Sequence, residues 1–205
     1  MLNVFLKTLR KKQLDLLIQT GKGLETRIVE RPGEWMTKDE LTELSNALVE
    51  IAVHTLPKGS LSYGVFSGDH KHLTQSVITL VRRKKDGKPI AFNALAIMDL
   101  ELAGKPIQVM HLGLVMVDPN EQSRGLSWVL YGLTCILLFV RNQLRPLWIS
   151  NVTQVPAIVG MVSETFSDVY PAPKKQQNGS LKHLLIAREI MKDCPSSGFL
   201  GAIAA

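Results

Sequence analysis

Three β-forming segments separated by short turn signals constrain the fold of this chain more than any other feature of its sequence. The segments are rich in Val, Ile, Leu and Ala and comprise residues 73–81, 90–102 and 107–117. The two connections contain Asp86-Gly87 and Gly104-Lys105-Pro106, and such short glycine-containing turns favour hairpins. The sequence therefore predicts three strands in an antiparallel meander.

Helical patterns flank the meander on both sides. Thr37 and Glu40 have the spacing of a capping box, and an apolar stripe at helical spacing follows them until Pro57 and Gly59. The segments after the meander are predicted as a long helix over residues 125–141, a short strand over 146–151, a helix over 155–166, and either a strand or a helix over 181–191. This order predicts an α/β (α+β) fold with a mixed central sheet flanked by helices.

The first 17 residues have apolar side chains at helical spacing and basic side chains between them. We interpret them as an amphipathic helix that packs on the domain or on a second subunit, so a homodimer is one alternative. Peripheral contact with an anionic membrane is the less favoured one. Residues 25–35 are predicted to be irregular. We divide the chain into an N-terminal helix and connecting segment (1–35), a domain (36–195) and a loose C-terminal tail (196–205).

Charge and composition limit the classes of partner. The net charge of +6 favours anionic partners, while only 6% aromatic residues makes a nucleic-acid binding surface unexpected. Cys135 and Cys194 have no partners at metal-ligand spacing, so we expect no metal site, no disulfide framework and a cytoplasmic location. The longest apolar stretch, residues 126–140, is shorter than the roughly 20 residues of a membrane span and is predicted to be a buried helix.

The junction between the third strand and the long helix has the features of an anion-binding loop. A strand, a polar loop and a helix start place free backbone N–H groups and the positive end of the helix dipole around one point. Gly125 allows close approach of a ligand, Arg124 adds positive charge, and Ser123 and Ser127 add hydroxyl groups. These residues favour a phosphate site at the start of the helix.

Val117-Asp118-Pro119 followed by residues 122–127 resembles the acyl-CoA signature of the GNAT family of N-acetyltransferases. That signature is a strand ending in V-x-P and then Q/R-x-x-G-x-G/A at the start of a helix. The order of elements over residues 36–170 is also similar to that of the family. The resemblance implies transfer of an acyl group, most simply acetyl from acetyl-CoA, to an amine whose identity the sequence does not reveal.

The same resemblance assigns roles to individual residues. It implies that the pantetheine arm of acetyl-CoA or another acyl-CoA pairs with Val115, Met116 and Val117. It implies that the pyrophosphate is held by Gln122, Ser123, Arg124, Gly125, Leu126 and Ser127. Asn151 matches the Asn that the family often has after the next strand.

The catalytic residues are matched less well. The family has a Tyr on the helix after Asn151 that protonates the departing thiolate, but residues 155–166 contain none, so Tyr170 beyond this helix is the candidate acid. His111 lies eleven residues before Gln122, where a histone-acetylating branch has a basic carboxylate, and it is the candidate general base. The alternative is a strand histidine bonded to a neighbour.

Three other functions stay open at this point. The apolar helix 125–140 suits a fatty-acyl transferase of the same fold, which would take its acyl group from long-chain acyl-CoA or from an acidic acyl carrier protein. The absence of a helix Tyr suits a non-catalytic module that binds acyl-CoA or a partner protein. The basic charge alone would suit a nucleic-acid binder with a misleading loop.

Overall fold

In the computed structural model, all six strands belong to one sheet and follow each other across it in chain order. The structure describes residues 11–56, 64–66, 70–122, 125–151, 156–170 and 181–193. The strands are β1 (Asp15–Gly21), β2 (Leu24–Glu30), β3 (Ser76–Arg83), β4 (Pro89–Leu102), β5 (Lys105–Val117) and β6 (Trp148–Asn151). The α-helices are α1 (Lys38–Thr55), α2 (His70–Thr74), α3 (Leu126–Trp128), α4 (Thr134–Arg141), α5 (Pro156–Thr165) and α6 (Leu181–Asp193).

The sheet is mixed, as predicted. Strands β1 to β4 pair antiparallel with their neighbours. Strands β4 and β5 are joined by Ala103 and Gly104, whose φ angles of 50° and 75° are those of a tight hairpin turn. Strand β6 is parallel to β5, with Val109 opposite Trp148 and Leu112 opposite Asn151. The predicted meander is therefore confirmed, except that β3 begins at Ser76 because residues 70–74 form α2.

The chain divides into two compact units, the first of which comprises residues 1–96 and 114–146. Its main core packs the apolar stripe of α1 with β3 and β4, where Leu48, Ile78 and Phe92 are fully buried. Helix α1 begins at the predicted capping box. The Thr37 hydroxyl accepts from the Glu40 N–H at 3.3 Å, and the Glu40 carboxylate accepts from the Thr37 N–H at 2.8 Å.

The second unit comprises residues 97–113 and 147–205. Its core contains Leu100 and Val109 from the sheet and Ile186 and Ile190 from α6. Ile186 and Ile190 are four residues apart and so lie on one face of α6. Residues 181–191, for which the sequence allows a strand or a helix, are thus helical because this spacing places the apolar side chains against the core.

Two predictions for the N-terminal part are wrong. Leu16 and Leu17 belong to β1 and not to a helix, and they alternate between buried and exposed as in a strand. Residues 24–30, most of which were predicted to be irregular, form β2 between β1 and β3. The seven-residue gap between Leu9 and Leu16 fits helical spacing, but pairing with β2 decides the conformation of Leu16. Residues 1–10 and 196–205 lie outside the described residues, so the rest of the predicted helix and the tail stay predictions.

Membrane-spanning helices and metal-binding clusters are both absent from the described part of the chain. No helix within it is long and apolar enough to cross a membrane. Nor do the described residues contain a group of three or more His, Cys, Asp and Glu side chains arranged to hold a metal ion.

Candidate functional site

Strand β5 ends at a buried aspartate that organises the loop after it. Asp118 is only 2% exposed, and its carboxylate accepts from the Asn120 N–H at 2.9 Å and from the Lys88 ammonium at 3.1 Å. These hydrogen bonds, with that of Asn120 the stronger influence, hold the pKa of Asp118 below its usual value. The Asp118 N–H donates to the Ile90 carbonyl at 2.8 Å. The start of the loop between β5 and the next helix, which we call the signature loop (residues 118–125), is therefore fixed by its backbone and by a charged side chain.

A second buried acid anchors the next turn. Glu121 ends the 3-10 helix Pro119–Glu121 and is buried, and its Oε1 lies 3.2 Å from Nη1 of Arg83. Arg83 also forms an ion pair with Asp86 at 3.1 Å in the turn between β3 and β4. The loop after β5 is thus connected through Arg83 and Lys88 to the hairpin of the neighbouring strands.

The helix of the signature begins at Gly125, which has the left-handed φ of 67°. A Cβ at this position would meet no atom within 4 Å, so the backbone angle and not crowding makes glycine suitable here. The Trp128 N–H donates back to the Gly125 carbonyl at 3.0 Å. The N–H groups ahead of Trp128 precede the first hydrogen bond of the helix, and backbone N–H groups at such a position can bind an anion.

The other predicted pyrophosphate ligands differ in their exposure to solvent. Gln122 is exposed and extended at the end of the 3-10 helix, whereas Leu126 is buried in a core cluster with Val81, Ile90 and Leu130. The side chain of Leu126 is therefore out of reach of a ligand. Ser123, Arg124 and the side chain of Ser127 lie outside the described residues, so their predicted roles stay predictions.

A buried polar network holds the helix that follows Gly125. Helix α3 continues through the π-helix Val129–Leu133 into α4 without interruption, and we call this run the signature helix (residues 126–141). The Leu130 carbonyl accepts from the Asn93 side-chain amide of β4 and, at 2.6 Å, from the Thr134 hydroxyl. Thr134 also bonds the Thr79 hydroxyl at 2.6 Å. These side-chain bonds connect the π-helix and the start of α4 to β3 and β4.

Of the remaining predicted site residues, Val115, Met116 and Val117 pack with the core clusters of the first unit, and His111, Asn151 and Tyr170 belong to the second unit. His111 and Ser150 are opposite each other on β5 and β6, and His111 Nδ1 lies 2.9 Å from the Ser150 hydroxyl. Burial lowers the pKa of His111. Ser150 is thus the neighbour to which a purely structural His111 would be bonded. The role of His111 as a base stays a prediction. Asn151 is the last residue of β6 and is buried.

Tyr170 lies beyond α5, as its sequence position implies, and its ring centroid is 5.7 Å from that of His183. His183 is buried on α6, and its Nε2 lies 2.9 Å from the Asp168 carbonyl. A carbonyl oxygen only accepts, so Nε2 carries the proton. The ring of His183 also meets Trp148 edge to face at 5.8 Å. Tyr170 is therefore positioned by an aromatic cluster, and its role as an acid stays a prediction.

Sequence reasoning did not find the residues that support the loop. Asp118 stood out only as part of the V-x-P motif, although Asp before a short helical turn is a typical capping residue. Lys88, Asn93 and Thr134 carried no signal, because their partners are distant in sequence: Lys88 bonds Asp118, and Asn93 bonds the Leu130 carbonyl.

No protein-family model matches the chain, and no curated protein does. Solved structures with a similar fold include an acetyltransferase from Trypanosoma brucei, 15% identical over 76% of this chain and 97% of that chain, with a TM-score of 0.46. An aminoglycoside acetyltransferase from an uncultured soil sample is 11% identical over 78% of this chain and 94% of that chain, with a TM-score of 0.48. A GNAT family acetyltransferase from Staphylococcus aureus is 12% identical over 65% and 88% of the two chains, with a TM-score of 0.38.

These similar structures are acetyltransferases, as the resemblance of the sequence predicts. With identities of 11–15% and TM-scores below 0.5, they carry no conclusion about activity, acyl donor or acceptor. Any proposal about function therefore depends on the residues of this chain.

Proposed function

We propose that this protein is an acyl-CoA-dependent N-acyltransferase that transfers an acyl group, most simply acetyl, to an amine. The observation that carries the proposal is the junction after β5, where Asp118 fixes the loop and Gly125 opens the signature helix in a left-handed conformation. Gly125, the glycine of the sequence that resembles the GNAT signature, thus stands at the start of this helix. The donor site would lie along residues 115–127.

The residues of this junction suit an acyl-CoA in three respects. The N–H groups around Gly125 and the positive end of the signature helix favour a pyrophosphate. The open space at Gly125 allows the ligand to approach the backbone. Val115, Met116 and Val117 lie on β5 past Leu112, the last residue in its pairing with β6, and offer extended backbone to the amide groups of the pantetheine arm.

In the proposed reaction the amine attacks the carbonyl carbon of the thioester, a base removes the ammonium proton that results, and the thiolate leaves. His111 would accept that proton on Nε2, which requires its proton to lie on Nδ1 and to be donated to the Ser150 hydroxyl. The lowered pKa of His111 keeps the imidazole neutral, and so able to accept a proton, at neutral pH. Tyr170 would be the candidate proton donor to the thiolate.

The first experiment is a thermal melt of the protein alone and with saturating CoA, acetyl-CoA or a long-chain acyl-CoA. A ligand at about 100 times its Kd adds ~2.7 kcal/mol to the free energy of unfolding, and this raises Tm by a few degrees. Arg124→Glu should abolish the shift, while the exposed Arg145→Glu should keep it. The thioester with the largest shift identifies the donor, and no shift with any CoA species would overturn the proposal.

The second candidate is a non-catalytic module that binds acyl-CoA, and it is favoured by the lack of a Tyr in α5. Release of free thiol from acetyl-CoA with a panel of amines separates the two candidates. An enzyme releases thiol with at least one amine, and His111→Gln slows this release. A module that shows the thermal shift and releases none with any amine fits the second candidate.

A further inference from the structure

An exposed apolar stripe runs along the outer face of the signature helix. Its side chains are 66% exposed at Trp128, 53% at Ile136 and 39% at both Phe139 and Val140. Leu144, just after the helix, is 62% exposed. The sequence predicted this helix to be covered on most sides, so the exposure of five large apolar side chains is unexpected. We call these five residues the apolar stripe.

The π-helix contributes to the alignment of the stripe. A π turn contains more residues than an α turn, so it delays the rotation of side chains around the helix axis. Trp128 before the π-helix and Ile136 after it consequently lie on the same side. Gly132 lies between them, and a Cβ there would come within 2.9 Å of the Trp128 ring. The indole therefore lies across Gly132.

Positive charge accumulates at the C-terminal end of the stripe. Arg141 donates to the carbonyls of Lys11 and Lys12 at 3.0 and 3.3 Å, which places these two exposed lysines beside the end of the signature helix. Arg145 is exposed one residue after Leu144. The sequence contains no Asp or Glu between Glu121 and Glu164. Arg141 itself pairs with Glu30 at 2.6 Å, so the cations that border the stripe are Lys11, Lys12 and Arg145, and the signature helix adds no acidic side chain.

We propose that the apolar stripe is a docking surface for an anionic lipid membrane. A helix that lies in the membrane interface combines an apolar face that includes Trp with basic residues at its border, and this surface has both. Basic residues near an anionic leaflet add attraction that apolar contact alone does not supply.

A second copy of the chain fits this surface less well. The stripe exposes an area on the order of 500 Å², within the range of the largest apolar patch of a monomer. A stable protein interface buries roughly 800 Å² on each partner. Two copies would also bring Lys11, Lys12 and Arg145 into a shared interface that lacks acidic partners on the signature helix.

Flotation of the full chain with vesicles tests the proposal without any acyl-CoA, so its outcome is independent of the proposed function. The protein should float with vesicles of equal parts phosphatidylcholine and phosphatidylglycerol, and much less with phosphatidylcholine alone. Ile136→Asp should reduce binding at least about tenfold, since it places a charge in the buried part of the interface. Val53→Asp, at an exposed Val of α1 outside the stripe, should leave binding unchanged.

Charge variants and fluorescence give independent measurements. Lys11→Gln together with Lys12→Gln should weaken binding roughly 25-fold, because each basic residue near an anionic leaflet contributes about a fivefold factor. In a variant whose only tryptophan is Trp128, lipids brominated on the acyl chain should quench its emission.

Three results would overturn the proposal: equal flotation by Ile136→Asp and wild type, absence of quenching, or a change from dimer to monomer caused by Ile136→Asp in sedimentation. The last result would identify the stripe as an interface between copies. Far-UV circular dichroism of each variant shows whether it has folded.

Discussion

The two ends of β5 are built differently. At its start, Ala103 and Gly104 reverse the chain in left-handed conformations, and a side-chain bond across this hairpin, from Gln108 to Asp99 at 2.9 Å, is exposed. At its end, Gly125 is also left-handed, but the connection leading to it is held by buried Asp118 and Glu121. A turn that only reverses the chain can rely on backbone angles. The connection that carries the candidate donor site has ion pairs whose carboxylates are buried and whose cations are partly exposed, so solvent screens them less than it screens the exposed bond of the hairpin.

The largest difference between the two ends should appear when their aspartates are removed. Asp118→Ala removes a buried carboxylate that accepts from the Asn120 N–H and the Lys88 ammonium, and it is expected to lower the free energy of unfolding by about 2–3 kcal/mol. The exposed Asp99→Ala should change it by less than about 0.5 kcal/mol. Urea unfolding followed by circular dichroism measures both. Similar losses of unfolding free energy in the two variants would mean that the two ends of β5 do not differ in how strongly side chains hold them.

The helix that follows the second end offers the next test. Thr134→Val removes a hydroxyl that is fully buried and bonds both the Leu130 carbonyl and Thr79, so a loss of about 2 kcal/mol is expected. Thr55 makes a similar bond to the Ile51 carbonyl near the end of α1, where it is only partly buried. Thr55→Val should therefore cost well under 1 kcal/mol. A smaller loss at Thr134 than at Thr55 would contradict the role given to the network.

Substitution of Gly104 and Gly125 compares the importance of the two ends of β5 for ligand binding. Gly104→Ala and Gly125→Ala each place a Cβ on a left-handed residue and should each lower the free energy of unfolding by about 1 kcal/mol. Only Gly125→Ala is expected to weaken acyl-CoA binding, because it also fills the space through which a ligand reaches the backbone. Isothermal titration with acetyl-CoA distinguishes them. Equal affinity of both variants for acetyl-CoA would mean that the conformation at Gly125 does not matter for cofactor binding.

The smallest effect is expected at His111, between the two ends. Its pKa is lowered by folding, so the unfolded chain takes up a proton at a higher pH than the folded protein does. The contribution to stability is complete above the usual histidine pKa of about 6.5, and part of it is lost as the pH falls below that value. His111→Gln should show a smaller loss of Tm between pH 8 and pH 5.5 than the wild type. An equal loss would mean that His111 does not contribute.

The sequence predicted best those elements whose pattern is local. The hairpins, the capping box at Thr37 and the helix after Gly125 all depend on residues within a few positions of each other, and all three are confirmed. Strand β2 was missed because its mixed polar and apolar residues become a strand only between two partners. The π-helix was missed for a similar reason, since the bonds of Asn93 and Thr79 that accompany it come from the sheet.

The sequence by itself determined the mixed sheet with its flanking helices and the position of the loop that resembles an acyl-CoA signature, because turn residues, apolar periodicity and Gly125 act locally. Tertiary structure alone decided what holds that loop. The partners of Asp118 and Glu121 are 30 and 38 residues away, and only the pairing of strands brings them together. It also decided that Trp128 and Ile136 face outward. The signature helix is apolar on all sides, so its sequence does not indicate which side packs against the sheet. Tertiary packing decides this.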